Sequence, residues 1–355
     1  KKCHYCSFPV YAGAKAEYND YIDCLNIEAK KYKGSRVDSI YLGGGTPTRL
    51  DNKALDLLFR LIRDNFNYKK SAEFTIEANP EDITQEKLLL IKERGITRIS
   101  LGIQSLNDKY LRLLGRNHDS ALALKAYFIL RDNCFNNVNV DFMYGFPGQA
   151  VKELKEDLSK CASLKSEHIS VYSLSVEEKS KFFADKVRLS EEGFQAGLYL
   201  EVKKDLERLG YRQYEISNFS LPGKESKHNM NYWRCGEYIG LGVGAHSHLN
   251  GVRKGNTANY FTYMKDVKAK GEAVSQKEEL ADYDKLKEAF LFGLRMNDGV
   301  DLSLIVKRFG VELKPSDMIR VEFFIKNKFL CRKGGRISAT VKGMLVLDEI
   351  CGDLI

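Results

Sequence analysis

Tyr41-Leu42-Gly43-Gly44-Gly45-Thr46-Pro47 decides how the rest of the chain is read. It closes the first of six short runs with strand character, at 39–44, 73–79, 98–104, 137–144, 168–174 and 211–218. Most are rich in Ile, Val, Leu, Phe or Tyr, and several end in Gly, Asn or Pro. Three glycines at a strand end open backbone N–H and C=O groups to close approach by a ligand, where a plain turn needs only two. Thr46 adds a hydroxyl, and Pro47 fixes the exit of the chain.

Helical patterns lie between these runs. Residues 52–66 place Leu55, Leu58, Phe59 and Ile62 on one face, and 191–209 do the same with Phe194, Leu198, Val202, Leu206 and Leu209. Such alternation predicts βαβ units and a parallel sheet, and six units favour a closed or partly closed barrel over an open doubly wound sheet. Ligands then belong at the carboxyl ends of the strands. After Pro222 the pattern changes: residues 223–260, rich in Gly, Asn, Tyr and His, read as irregular or short-strand structure. From Asp282 helices return, at 285–295, 302–308 and 315–327, followed by a hairpin-like stretch at 329–340 and a helix at 341–354. The expected domains are a barrel at 1–222, a connecting segment at 223–280 and a compact, mostly helical domain of winged-helix outline at 281–355.

The 355 residues suit one large α/β domain with a smaller one, since single cores stop growing at about 250–300 residues. With 43% hydrophobic and 29% charged residues the chain can pack a core, which argues against wholesale disorder. The net charge of +8 arises from 56 basic and 48 acidic residues. They interleave, as in Lys152-Glu153-Leu154-Lys155-Glu156-Asp157, which reads as a solvated helix face and not as a nucleic-acid stripe. No basic recognition helix stands out in the winged-helix-like part, so no nucleic-acid partner is expected. The positive surplus favours a mild attraction to anionic substrates and a peripheral contact with membrane surfaces. No apolar run is long enough to span a bilayer, and no signal peptide is visible. The first residue is not Met, and the sequence opens two residues before Cys3, which implies that residues precede it.

Six cysteines, Cys24, Cys134, Cys161, Cys235, Cys331 and Cys351, are scattered singly, where a free thiol packs as a small hydrophobe. Only Cys3 and Cys6 stand close, in Cys3-His4-Tyr5-Cys6. A large chain with one CxxC reads as cytoplasmic with a metal or redox site, not as a disulfide scaffold. The pair alone leaves several readings open: half a zinc site, a dithiol redox pair, part of an iron–sulfur ligand set, or two ordinary loop thiols. Zinc lacks a second ligand pair at suitable spacing, since His228 and Cys235 lie in a different region. A dithiol motif would normally follow a strand and open a helix in a thioredoxin-like fold.

Four polar residues stand where a barrel would present them to one mouth. Glu77 lies in Thr75-Ile76-Glu77-Ala78-Asn79-Pro80, Gln104 in Gly102-Ile103-Gln104-Ser105, Arg116 in Leu114-Gly115-Arg116-Asn117-His118 and Asp141 in Asn139-Val140-Asp141-Phe142. A carboxylate inside an apolar strand is costly unless paired or ligand-bound. Internal pairing, for example of Asp141 with Arg116, accounts for one such residue; four in register at strand ends read as a pocket.

A cysteine loop followed by Gly-Gly-Gly-Thr-Pro at the next strand end resembles the radical S-adenosylmethionine (SAM) superfamily. That family's motif has three cysteines; Cys3 and Cys6 match the second and third, and the first would fall upstream of residue 1. The resemblance implies a [4Fe–4S] cluster with one iron left open, chelated by the amino and carboxylate groups of SAM, and reductive cleavage of SAM to a 5′-deoxyadenosyl radical. More narrowly, nearly the whole chain resembles the coproporphyrinogen III oxidase-like branch, which implies a partial (β/α) barrel with a smaller, mostly helical C-terminal domain. By that resemblance Gly44, Gly45, Thr46, Glu77, Gln104, Arg116 and Asp141 fall on SAM-contacting positions, and Tyr5 on the aromatic position between the cysteines. Backbone at Gly44 and Gly45 suits the ammonium, Arg116 the carboxylate, and Asp141 or Glu77 the ribose hydroxyls or the ammonium.

Phe8 stands where the oxidases of that branch carry a further cysteine, and His228-Asn229-Met230-Asn231-Tyr232-Trp233 resembles the His-Asn-x-x-Tyr-Trp motif of the haem chaperones. A histidine among aromatics can ligate haem iron and stack on porphyrin. The competing reading is packing, with His228 hydrogen-bonding across a turn and Trp233 plugging the barrel mouth. The Gly-rich stretch from Gly240 to His248 also resembles the family, with His246 a secondary haem-ligand candidate. The function implied is binding of cluster, SAM and haem, with delivery of haem to acceptor proteins such as respiratory enzymes. The alternatives are oxidative decarboxylation of coproporphyrinogen III, against which Phe8 argues, and a non-catalytic module with a structural cluster.

Overall fold

A computed structural model describes residues 2–8, 11 and 17–354, which group into two compact units. The first comprises the chain up to Arg212 with Ser217–Glu225 and Ala258–Ala273. The strands of its main sheet are β1 (Ser39–Leu42), β2 (Glu73–Ala78), β3 (Arg98–Gln104), β4 (Val138–Tyr144), β5 (His168–Ser173), β6 (Arg212–Gln213, of which only Arg212 falls in this unit) and β7 (Asn218–Ser220), in the sheet order β1-β2-β3-β4-β5-β7-β6. Pairing from β1 to β5 is parallel throughout. Parallel neighbours need crossovers, and helices Asn52–Asn65, Gln85–Glu93, Ser120–Asp132 and Val151–Ser163 supply them. Asp51, Thr84 and Asp119 cap the first three by accepting a first-turn N–H. The architecture is the expected partial (β/α) barrel. Its parallel run ends at β7, which pairs antiparallel with β5.

Alternate residues of these strands divide two faces. One carries Phe74, Ile76, Ile99, Leu101, Val140 and Ile169, all buried. Phe59 of the first crossover helix packs edge-on against Phe74 with ring centroids 6.0 Å apart, so this face meets the helices. The other carries Tyr41, Glu77, Ser100, Asn139, Asp141 and His168. Register places Glu77 beside Ser100, Ser100 beside Asn139, and Asn139 beside His168. Between β3 and β4 the register slips at Gly102/Gln104, and Gln104 takes φ +68°, a left-handed conformation that marks a bulge.

Several expectations need correction. The run at 211–218 is two short strands, because Gln213–Ile216 belongs to the second unit, where Glu215 bridges Met296. Helix Glu192–Arg208 buries Leu198, Val202 and Leu206, but Phe194 and Leu209 at its ends are exposed. Asp141 sits mid-strand, and Arg116 follows the short helix Asp108–Leu113 instead of a strand.

The second unit comprises Gln213–Ile216, Ser226–Thr257 and Val274–Ile355. An antiparallel sheet joins His246–Leu249, Val252–Asn256 and Val274–Glu279. Helix Lys227–Trp233 occurs where irregular structure was expected; Ser226 caps it, and it buries no residue, so no apolar period announced it. Helices Asp282–Gly293, Leu302–Phe309 and Pro315–Lys326 precede a hairpin, Leu330–Lys333 with Arg336–Ala339, whose second strand also pairs Val300–Asp301. The stretch 341–354 is two helices, Val341–Met344 and Leu347–Leu354. The first is held so close to Phe329 that a Cβ on Gly343 would lie 1.9 Å from the Phe329 carbonyl oxygen. Among the described residues no helix is long and apolar enough to cross a membrane.

Phe74 is 2% exposed and touches Phe59 and Tyr68 edge-on. Phe74→Ala is expected to cost about 3–5 kcal/mol, read as a lowered urea midpoint in far-UV circular dichroism. A midpoint equal to wild type would refute this account of the helix–sheet interface.

Candidate functional site

The N-terminal loop is pinned to the first unit through His4. Its N–H donates to Leu114 O at 2.9 Å, its carbonyl accepts from Phe182 N–H at 2.9 Å, and its Nδ1 lies 2.9 Å from Leu113 O. A ring nitrogen facing a carbonyl must carry the proton. The imidazole leaves no room at Gly115, where a Cβ would lie 2.6 Å from Nε2 and φ is +70°. Cys3 and Cys6 share a single turn, closed by Cys6 N–H donating to Cys3 O at 3.3 Å. Tyr5 between them packs against buried Tyr110, Leu114, Met143, Phe146, Leu174 and Phe182, and burial pushes its hydroxyl up from the usual range.

Arg116 ties this turn to the sheet. Its guanidinium donates to Cys3 Sγ at 3.3 Å, to Asn79 Oδ1 at 2.6 Å and to Gly102 O at 2.8 Å, while its buried Nε has no partner. Asn79 Nδ2 donates in turn to Thr46 Oγ1 at 3.0 Å. One chain of contacts therefore joins the cysteine turn, Arg116 and the glycine loop. The expected Asp141–Arg116 pair does not form. Asp141 instead accepts from Ser100 Oγ at 2.9 Å and Asn139 Nδ2 at 2.7 Å. Burial pushes its carboxyl up, and these two donors, with the Arg98 charge and Ser170, oppose that rise.

Glu77 accepts from Tyr41 OH at 2.9 Å and from Gly44 N–H. Burial and the nearby Asp141 charge push its carboxyl up to about 7, against those hydrogen bonds. The three glycines have separate reasons. A Cβ on Gly43 would crowd Tyr41 and Glu77 at 2.7–2.8 Å, Gly44 sits at φ +96°, and Gly45 has nothing within 4 Å. Gln104 is buried on its bulge.

Three contributors gave no signal of their own in the sequence. Asn79 precedes a proline at a strand end, where it reads as an ordinary turn residue. His118 reaches Ile103 O and Glu81 Oε2, each at 3.1 Å, and so fixes the backbone beside Gln104. Although desolvation opposes it, the hydrogen bond to His118 helps lower Glu81 to about 2. Asn139 was hidden in an apolar run.

Cys3, Tyr5, Cys6, Gly44, Gly45, Thr46, Glu77, Gln104, Arg116 and Asp141 all belong to the first unit; His228 belongs to the second. His228 Nε2 lies 3.2 Å from Tyr232 OH, with the rings edge to face. Tyr232 meets Tyr238 at 4.7 Å, and Tyr238 meets His248 at 6.1 Å. Trp233 packs on Phe292 and under the Arg295 guanidinium of its own unit, and its buried Nε1 has no partner. His246 is exposed on the first strand of the small sheet.

The fold and site define a class: α/β proteins that bring a CxxC turn, a glycine loop and buried carboxylates together at one end of a partial parallel barrel. Comparison with known proteins agrees. The chain matches the radical SAM superfamily over residues 1–161 and the HemN C-terminal domain over residues 280–346. It is 34% identical to the protein named heme chaperone HemW of Bacillus subtilis, covering 99% of this chain and 95% of that one. The Lactococcus lactis protein of the same name is 32% identical, over 96% and 90% of the two chains. The structure of coproporphyrinogen III oxidase (HemN) from Escherichia coli, described as a radical SAM enzyme, superposes with a TM-score of 0.88 over 100% of this chain and 87% of that one, at 23% identity. The chain belongs to the radical SAM superfamily, in the coproporphyrinogen oxidase-like branch that includes the HemW proteins.

The raised Glu77 carboxyl sets a pH dependence. Between its ordinary 4.5 and its folded value of about 7, the folded chain holds a proton that the unfolded chain has released. That contribution is full below the ordinary value and is lost as the pH rises. Glu77→Gln is expected to match wild type near pH 4.5 and to exceed it above pH 7, by roughly 3 kcal/mol at about 1.4 kcal/mol per pH unit. Thermal midpoints across pH check this; a gap that does not grow with pH refutes the assignment.

Proposed function

We propose that this chain holds a [4Fe–4S] cluster and SAM at the first unit's site, binds haem, and delivers it to acceptor haemoproteins in the cytoplasm. The contact chain from Cys3 through Arg116 and Asn79 to Thr46 carries the first half of this reading. A guanidinium is a donor suited to a metal-bound thiolate sulfur. Cys3 and Cys6 would hold iron, and the third thiolate is assigned outside the described residues. Among the described residues no three His, Cys, Asp or Glu side chains gather as a metal site. When bound, the cluster supplies electrons at an open iron and SAM supplies the sulfonium they reduce.

The protein's own groups bind and orient. The unpartnered Nε of Arg116 is a donor for the SAM carboxylate. Tyr41 and Gly44 hold Glu77, and Asn79 holds Thr46. Gln104 adds an amide, and Gly45 leaves space against the backbone. Tyr5 and its apolar neighbours keep water from the cysteine turn.

The haem half is supported by the near-full-length likeness to proteins named heme chaperone HemW. Phe8, at the position of the oxidases' further cysteine, supports it too, as does His228, whose imidazole Tyr232 orients. Free cysteines throughout suit a reducing compartment.

After anaerobic reconstitution, Arg116→Ala and Glu77→Ala are each expected to weaken SAM binding by about tenfold or more; unchanged affinity removes the SAM site. Titration with haem is expected to produce a Soret change in the wild type that His228→Ala diminishes. No change in the wild type refutes haem binding, and turnover of coproporphyrinogen III would replace the chaperone reading with the oxidase.

A further inference from the structure

The SAM contacts proposed above use only one end of the polar face. Nearer the amino ends of the strands lie Ser100, Asn139, His168 and Ser170, none more than 3% exposed. Polar groups so enclosed are costly unless each donor meets an acceptor, and here the directions follow one from another. Asn139 Nδ2 lies 2.7 Å from Asp141 Oδ1 and 2.7 Å from Ser100 Oγ. Asn139 Nδ2 gives one proton to each of these oxygens, so the amide oxygen faces away from them. That oxygen lies 2.6 Å from His168 Nδ1, which must therefore donate to it, and 3.1 Å from Ser170 Oγ, whose single proton has both this oxygen and Asp141 within reach. Burial holds His168 well below the usual imidazole range, so its ring is neutral with the proton on Nδ1. Ser100, which accepts from Asn139, passes its own proton toward Asp141 Oδ2 at 2.9 Å. Every donor in the chain runs toward one carboxylate. His168, Asn139 and Ser100 are also register partners on three adjacent strands, so the sheet itself sets their spacing.

We propose that Asn139 and His168 are positioning residues, through which the sheet holds Asp141 as an oriented acceptor for the hydrogen-bond donors on the nucleoside part of SAM. This rests on the reading that the site binds SAM.

The test is calorimetric binding of S-adenosylhomocysteine to the full, reconstituted chain as wild type, Asn139→Asp, Asp141→Asn and the double variant. Each single change is expected to weaken binding about tenfold. The double variant is expected to be no weaker than Asp141→Asn alone, because Asn139 acts through Asp141. A purely structural role moves stability and gives losses that multiply; that result, or full affinity in Asn139→Asp, overturns the inference. His168→Phe gives the same cycle if Asn139→Asp does not fold, and His168→Gln, which keeps a donor, is expected to restore affinity. The loss is expected to persist with 5′-methylthioadenosine, which lacks the amino-acid end; a loss confined to S-adenosylhomocysteine overturns the nucleoside assignment. Failure of the wild type to bind either probe sinks the SAM reading itself, a result distinct from any variant outcome.

Discussion

A strand in this sheet shows one side to the crossover helices and the other to the inside of the curve, and successive side chains alternate between them. In β1 to β5 that alternation separates an apolar face, packed by helices through contacts such as Phe59 on Phe74, from a polar face that holds Tyr41, Glu77, Ser100, Asn139, Asp141 and His168. A one-residue slip in any pairing would exchange the faces and bury unpaired carboxylates against the helices. Register is therefore the constraint on which both the core and the site rest.

The polar face tolerates its burial because its groups satisfy one another. Two carboxylates approach closely enough that Asp141 helps raise Glu77, yet each has its own donors: Tyr41 and Gly44 for Glu77, Ser100 and Asn139 for Asp141. Arg116 does not neutralise them; it turns to Cys3, Asn79 and Gly102. That leaves carboxyl acceptors at one side of the site and a positive group at the other, a division suited to a zwitterionic ligand. The cysteine turn has no regular structure of its own and depends on three hydrogen-bonded contacts through His4, with Gly115 leaving the space its ring occupies.

Much of this was legible in the linear chain. Five of the six strand-like runs, the amphipathic helices at 52–66 and 191–209 and the hairpin at 329–340 correspond to observed elements, because each depends on local periodicity and capping that act over one or two turns. The glycine loop and the Cys3–Cys6 pair were also visible, since unusual residues at fixed spacing survive without knowledge of neighbours. The short helix Lys227–Trp233 was not, because it buries no residue and so leaves no periodic trace.

Local pattern determined the parallel α/β order of the first unit and the candidate residues Glu77, Gln104, Arg116 and Asp141. Tertiary structure decided who meets whom. Arg116 comes from the turn after a helix, Asn79 joins it to Thr46, and His118 reaches Ile103 O, beside the bulge at Gln104, from fifteen residues away. Asn139 and His168, twenty-nine residues apart, look like isolated polar interruptions in strands and become neighbours only when β4 and β5 pair. The physical reason is that hydrogen bonds across a sheet are set by strand order and register, which depend on the whole sheet, whereas helix and turn signals are written within a few residues of where they act.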